Sequence, residues 1–294
     1  MLKKDVFALV SLNIMWGGAF AVAGYGLKYF SPTFMYALRF FIAGIFTIPF
    51  CDFPKKNIGK IFLLSLAQTF VFYGIGLAVK NLDSSISAIV SRLDIFFTIM
   101  LAVVLFKEKV TAKLVVCLLM CTLAVFIISK EISFSNSKYL YLLIFSSFLS
   151  GVANIIVKGI KDEKNTTIVT WSSLLMGIEL FIISFLTENQ FVLRKIDILA
   201  LLIVVYLSLL SSYVAYIILF SLLRKYEAAN IMLYSFSRPI VAIVAGYLIL
   251  GEKISYDKIL GTILIIVGIF IAEYKGNLNP SKIVHRLLGE KDEK

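Results

Sequence analysis

The chain reads as an all-α membrane protein, with ten transmembrane helices arranged as two inverted five-helix repeats. Three observations lead there. Of its 294 residues, 60% are hydrophobic and the mean hydropathy is +0.94, well above a soluble domain of this length. Apolar runs of about 20 residues, the length that crosses a bilayer as a helix, recur from end to end. The stretch Ser84 to Val110 (SSISAIVSRLDIFFTIMLAVVLFKEKV) also has a counterpart 144 positions on, Ala228 to Ile254 (AANIMLYSFSRPIVAIVAGYLILGEKI). This register places Ser91 on Ser235, Glu108 on Glu252 and Lys109 on Lys253 without a gap. A β-barrel would instead show alternating segments of about 10 residues, and the sequence has none.

The spans fall at 6–27, 33–51, 58–79, 84–106, 112–129, 138–158, 166–187, 197–222, 228–250 and 256–274. Their connections are short, so sequential spans are expected to pack as hairpins. The first run carries no small-residue cleavage site and reads as a span rather than a signal peptide. With the N-terminus inside, 18 Lys and Arg fall on inner loops and eight on outer ones. That excess puts both termini in the cytoplasm and favours an even number of spans. The expected location is the bacterial cytoplasmic (inner) membrane. Residues 5–130 form one half, 138–275 the other, and 276–294 a basic cytoplasmic tail. Five spans is an odd number, so the halves cross the membrane in opposite senses. Many secondary transporters share this plan, with the substrate site between the repeats.

Composition narrows the chemistry. The net charge of +11 resides in loop Lys and Arg that set topology, so nucleic acid is not an expected partner; membrane lipid and a small-molecule substrate are. Three cysteines form no disulfide framework; Cys117 and Cys121 read as small packing residues on an apolar helix. The one histidine, His285, lies in the tail, so neither a metal site nor a cofactor is expected. HExxH, GxSxG and P-loop motifs are absent. The chain therefore reads as no enzyme, and any active transport runs on a gradient, with proton coupling left open.

Five charged residues lie well inside spans, away from their ends: Arg39, Arg92, Asp94, Glu179 and Arg238. A charge near the bilayer centre costs about 2.5–3.5 kcal/mol on insertion scales. Each is therefore expected to meet a partner or a wet cavity. In the fourth span Ser84, Ser87, Ser91, Asp94 and Thr98 recur every three or four residues, which aligns them on one helix face. Hydroxyls so placed also serve as interhelical glue. Arg92 and Asp94 are two apart, point in different directions on a regular helix, and are not expected to pair. The ninth span carries Asn230, Tyr234, Ser235, Ser237 and Arg238, then Pro239, which frees the Ser235 carbonyl and bends the helix. Ile95 stands at the aligned position, so the two copies should differ there. In the first span Asn13 and Gly17 share a face beside Trp16. In the sixth, Ser147, Gly151 and Asn154 do so, with Gly151 matching Gly17 and Ser150 standing where Trp16 would.

The expected substrate-binding set is thus Trp16, Ser91, Arg92, Asp94, Asn154, Tyr234, Ser237 and Arg238. Asp94, Glu179 and Arg39 are candidates for proton or ion-pair sites, and Gly17, Gly151 and Pro239 for gate or bend positions. Arg39 either snorkels outward or pairs with an acid. Glu179 is open as a partner of Arg39 or Arg238, a proton site or a lipid-facing residue. Trp16, Tyr73, Trp171, Tyr213, Tyr216 and Tyr234 are candidate pocket walls.

The motifs WGGAF (16–20), LRF (38–40), LFKEKV (105–110), LRKYEAA (223–229), SRP (237–239) and LILGEKIS (248–255) resemble the EamA family of the drug/metabolite transporter superfamily. The resemblance covers about residues 5–275, including the family's repeated glutamate, here Glu108 and Glu252. It implies a secondary transporter of ten spans with a central cavity. The second half is most similar to members that export amino acids and derivatives, of the O-acetylserine/cysteine type. Arg92-Leu93-Asp94 and Ile95 depart from that pattern and point to a more polar or charged substrate. The expected activity is efflux of a small polar or zwitterionic metabolite by alternating access, as a monomer or homodimer. Uptake of a nutrient, vitamin or nucleotide-like compound is the alternative. An intramembrane enzyme using Asp94 and Glu179 is the alternative of another class.

Overall fold

The computed structural model describes residues 3–107, 111–130, 136–188, 197–226, 231 and 238–273. Every secondary-structure element among them is helical. The first half holds α1 (Lys3–Gly26), α2 (Pro32–Thr47), α3 (Ile58–Asn81), α4 (Ser84–Val90), α5 (Leu93–Phe106) and α6 (Ala112–Ser129). The second holds α7 (Ser137–Lys158), α8 (Asn165–Thr187), α9 (Ile198–Val205), α10 (Ala215–Lys225), α11 (Arg238–Ala245) and α12 (Tyr256–Glu273). A π-helical stretch, Tyr206–Val214, joins α9 to α10 without interruption, and another, Gly246–Leu250, extends α11. Seven helical stretches are long and apolar enough to cross a membrane: α1, Pro32–Phe50, α3, Ser84–Phe106, α7, α8 and Ile198–Lys225. The remaining expected spans fall on α6, the Arg238–Leu250 stretch and α12.

Contacts between the halves are reciprocal. A Cβ added at Gly17 of α1 would stand 2.6 Å from Val241 Cβ and 2.8 Å from the Arg238 carbonyl of α11. One added at Gly151 of α7 would stand 2.8 Å from Phe97 Cβ and 3.0 Å from the Thr98 nitrogen of α5. Phe97 and Val241 are 144 positions apart, the register of the repeat. Gly44 on α2 meets Leu174 on α8, and Gly177 on α8 meets Phe41 on α2. A pseudo-two-fold relation makes such pairs, in which each half presents the same patch to the other. Helix ends repeat as well: Lys107 after α5 and Gly251 after the second π-stretch are both left-handed, with φ of 54° and 69°. They too are 144 apart. Gly17 and Gly151 therefore mark close helix crossings.

The fourth span departs from expectation. It is not one helix but two, α4 and α5, joined by a turn at Ser91 and Arg92. There the amides of Arg92, Asp94 and Ile95 donate three residues back, to the carbonyls of Ile89, Ser91 and Arg92, at 3.0–3.1 Å. That is 3₁₀ winding.

Carboxylates that reach between the halves close both ends of the bundle. At one end Glu252 accepts from the Ser84 amide (2.6 Å), the Ser85 amide (3.2 Å) and the Ser85 hydroxyl (2.5 Å), capping α4. Glu188 accepts from the Thr33 and Phe34 amides at 2.8 and 3.1 Å and so caps α2. Lys258 reaches Asp83 at 2.7 Å. At the other end Lys164 pairs with Asp52, Lys225 with Asp5, and Glu163 accepts from the Lys55 and Lys56 amides.

Candidate functional site

Between the halves lies a cavity of about 80 Å³, partly open to solvent. Its charged lining is Arg39 from α2, Arg92 and Asp94 from the α4–α5 turn, and Arg238 from α11. Gln68, Ser150 and Asn154 add uncharged polar groups, and Trp16, Phe20, Tyr36, Phe72 and Tyr216 supply aromatic walls.

The turn at Ser91–Arg92 shapes the central pair. On a regular α-helix, residues two apart point about 160° away from one another; 3₁₀ winding brings them to about 120°. Arg92 Nη1 thereby comes within 3.7 Å of Asp94 Oδ1. This corrects the expectation that the two would not pair. The contact is an ion pair without a hydrogen bond: Arg92 Nε, Arg92 Nη1 and Asp94 Oδ1 are buried and have no hydrogen-bond partner among the described residues. A buried polar atom left unpaired costs about 1–3 kcal/mol, more when charged.

Arg238 is 3% exposed. Its Nε donates to Asn13 Oδ1 at 3.0 Å, and its guanidinium lies 4.1 Å above the Trp16 ring. A desolvated cation–π contact of this kind contributes about 2 kcal/mol. The Trp16 ring also meets Tyr216 edge-on at 5.2 Å, and its Nε1 donates to the Ser211 carbonyl at 2.8 Å. Asn154 donates to Thr98 Oγ1 at 3.1 Å, tying α7 to α5 beside the turn.

Arg39 does not snorkel, and among the described residues it meets no acid. It is 4% exposed. Its Nε donates to Ser212 Oγ (2.7 Å), and Nη2 to the Ser211 carbonyl (3.0 Å) and hydroxyl (2.9 Å). Tyr36, Phe40 and Phe72 surround the guanidinium. Ser211 and Ser212 lie in the Tyr206–Val214 π-stretch, a winding frequent at functional sites. Glu179 pairs with neither Arg39 nor Arg238 in these contacts. It sits on the α3-facing side of α8 and accepts from Ser65 (2.9 Å) and Thr69 (2.5 Å), away from the cavity lining. Ser91 is turned back to its own helix, donating to the Ala88 carbonyl at 2.8 Å. Tyr234 and Ser237 lie outside the described residues, as does Ser235, whose carbonyl Pro239 was expected to free. Pro239 itself stands in the first described turn of α11.

Of the expected aromatic walls, Trp16 and Tyr216 line the cavity. Trp171 instead donates to the Asp52 carbonyl at the bundle's end. Gln68, Tyr36 and Phe72 were missed. A single glutamine in an apolar α3 was the one available signal. Among the described residues, no group of three or more His, Cys, Asp or Glu is placed to hold a metal ion.

This assembly of spans and site has a match among known families. A model of the EamA-like transporter family fits residues 3–130 and again 137–274. The chain belongs to the EamA-like transporter family. Relatives of this EamA chain include a probable amino-acid metabolite efflux pump from Escherichia coli (strain K12). It is 25% identical over 286 residues, covering 92% of this chain and 95% of that one. An uncharacterized transporter of Archaeoglobus fulgidus is 24% identical over 281 residues, covering 93% and 100%. A protein solved by crystallography shares the fold with a TM-score of 0.73 at 14% identity, over 93% of this chain and 98% of that one. The EamA chain is thus an integral membrane transporter. Its repeated glutamate, where described, acts structurally: Glu252 caps α4. Glu108 lies outside the described residues.

Proposed function

We propose that this EamA transporter exports a small zwitterionic metabolite, an amino acid or derivative, across the bacterial cytoplasmic membrane. The reading uses ten spans in two inverted halves, termini in the cytoplasm, and alternating access about the central cavity. The observation that carries it is the unpartnered set at the α4–α5 turn. Arg92 offers two free donors and Asp94 a free acceptor, 3.7 Å apart in one cavity with Arg238. A carboxylate on Arg92 and Arg238 with an ammonium on Asp94 satisfies all three atoms at once. The name of the E. coli relative supports efflux of an amino-acid metabolite as the substrate class. Gly17 and Gly151 serve as the crossings about which the halves rock, and Asp94 is the acid best placed for proton coupling.

Flux from proteoliposomes loaded with a panel of labelled amino acids and O-acyl derivatives tests this. Asp94→Asn and Arg238→Gln should each reduce transport at least about tenfold, as expected for a lost charge-assisted hydrogen bond of 1.5–3 kcal/mol. Full flux in both variants would refute the site. Uptake is the competing direction, and growth of an auxotroph expressing the gene distinguishes it.

A further inference from the structure

The cavity holds more positive charge than a simple zwitterion balances. Among its described lining residues, three arginines face one carboxylate. The sequence 228–237, most of it outside the described residues, contains no acidic residue. A zwitterion on Arg92, Arg238 and Asp94 leaves the balance at two positive charges in a buried site, where unpaired ions are costly.

The cations fall into two groups. Arg238 is in electrostatic reach of Arg92 and Asp94. Arg39 interacts with Tyr36 and Tyr206, and it shares Tyr216 with Arg238. Trp16 stands between them: Arg238 lies over its ring, while its Nε1 shares the Ser211 carbonyl with Arg39 Nη2. Serines hold Nε and Nη2 of Arg39, and Nη1 has no protein partner among the described residues. Rigid support on one edge and a free donor on the other is how a guanidinium is presented to an anion.

We infer that Arg39 forms a second anion subsite, one indole away from the first, and that the substrate is an amino acid bearing a further anionic group. An amino dicarboxylate or an O-phosphorylated hydroxy amino acid has this chemistry. The inference rests on the amino-acid reading of Arg92, Arg238 and Asp94 given above.

Binding to the purified full-length protein in nanodiscs, measured by calorimetry, separates the possibilities. Glutamate and glutamine differ in charge at nearly constant shape. Glutamate should bind at least about tenfold more tightly, the effect of one charge-assisted contact. O-phosphoserine should exceed serine likewise. Arg39→Gln should bring both ratios towards one, and Arg39→Lys should retain part of the preference. Equal binding of glutamate and glutamine to the wild type overturns the second subsite and leaves the amino-acid reading standing. So does an unchanged ratio in Arg39→Gln. Succinate, which has two carboxylates and no ammonium, tests the other half: if it matches glutamate, the ammonium role of Asp94 fails and the two-anion site survives. If no probe binds, both fail. Should Arg39→Gln not fold, the wild-type glutamate–glutamine comparison decides alone.

Discussion

A buried guanidinium must place its N–H groups on acceptors, and the three arginines here do so differently. Arg39 uses serine oxygens of a π-stretch, Arg238 uses Asn13 and the face of Trp16, and Arg92 leaves two nitrogens open. The open nitrogens of Arg92 are assigned to the substrate, with Arg238 beside them and Arg39 Nη1 at the second subsite. Outside the spans, Glu188 shows the opposite situation, a carboxylate with its acceptors filled. Burial acts to raise its pKa. Hydrogen bonds from the Ser184 and Ser31 hydroxyls and the Thr33 amide outweigh that and hold it below the usual carboxylate value of about 4.5. A carboxyl with a lowered folded-state pKa stabilises the protein above its unfolded pKa, and this stabilisation is lost as pH falls through the folded value. Melting temperature in detergent should therefore decline as pH drops below about 4.5. Glu188→Gln should melt lower than wild type near neutral pH and show a shallower acid decline. Parallel acid curves would sink the assignment.

At the scale of elements, helix ends decide where the site stands. The α4 N-terminus is fixed by a carboxylate 168 positions away, and the short α4 ends in the turn that presents Arg92 and Asp94. Glu252→Ala should lose about 1 kcal/mol of stability, the usual worth of a cap, and tilt the turn enough to weaken substrate binding. A thermal-shift assay with and without substrate reads both. Unchanged melting and affinity would show the cap to be idle. The duplicated fourth span and its buried charges were legible in the sequence, because apolar length and repeat register are local properties. The break at Ser91–Arg92 was not: neither proline nor glycine marks it, and the 3₁₀ bonds form where α7 and α11 pack around the turn.

At the scale of the whole molecule, the two halves meet through the same patch used twice. Gly17 against α11 and Gly151 against α5 are the two copies of one crossing. Gly17→Ala and Gly151→Ala should each destabilise by about 1–3 kcal/mol, the cost of overpacking a close contact, and should slow transport together. Melting curves and flux measurements on both variants check this. A neutral effect at either position would break the reciprocity.

By itself the sequence determined the helical membrane class, the repeat, and which residues carry charge into the spans. These follow from hydropathy, length and register, which act along the chain. The tertiary structure alone decided that Arg92 and Asp94 pair loosely and that Glu179 is satisfied by α3. It also decided that Arg39 shares the cavity. Arg39 meets Ser211 and Ser212 across 172 and 173 positions, and only packing of α2 against the π-stretch brings them together. A charge inside a span announces that it needs a partner; which partner it finds is a property of the fold.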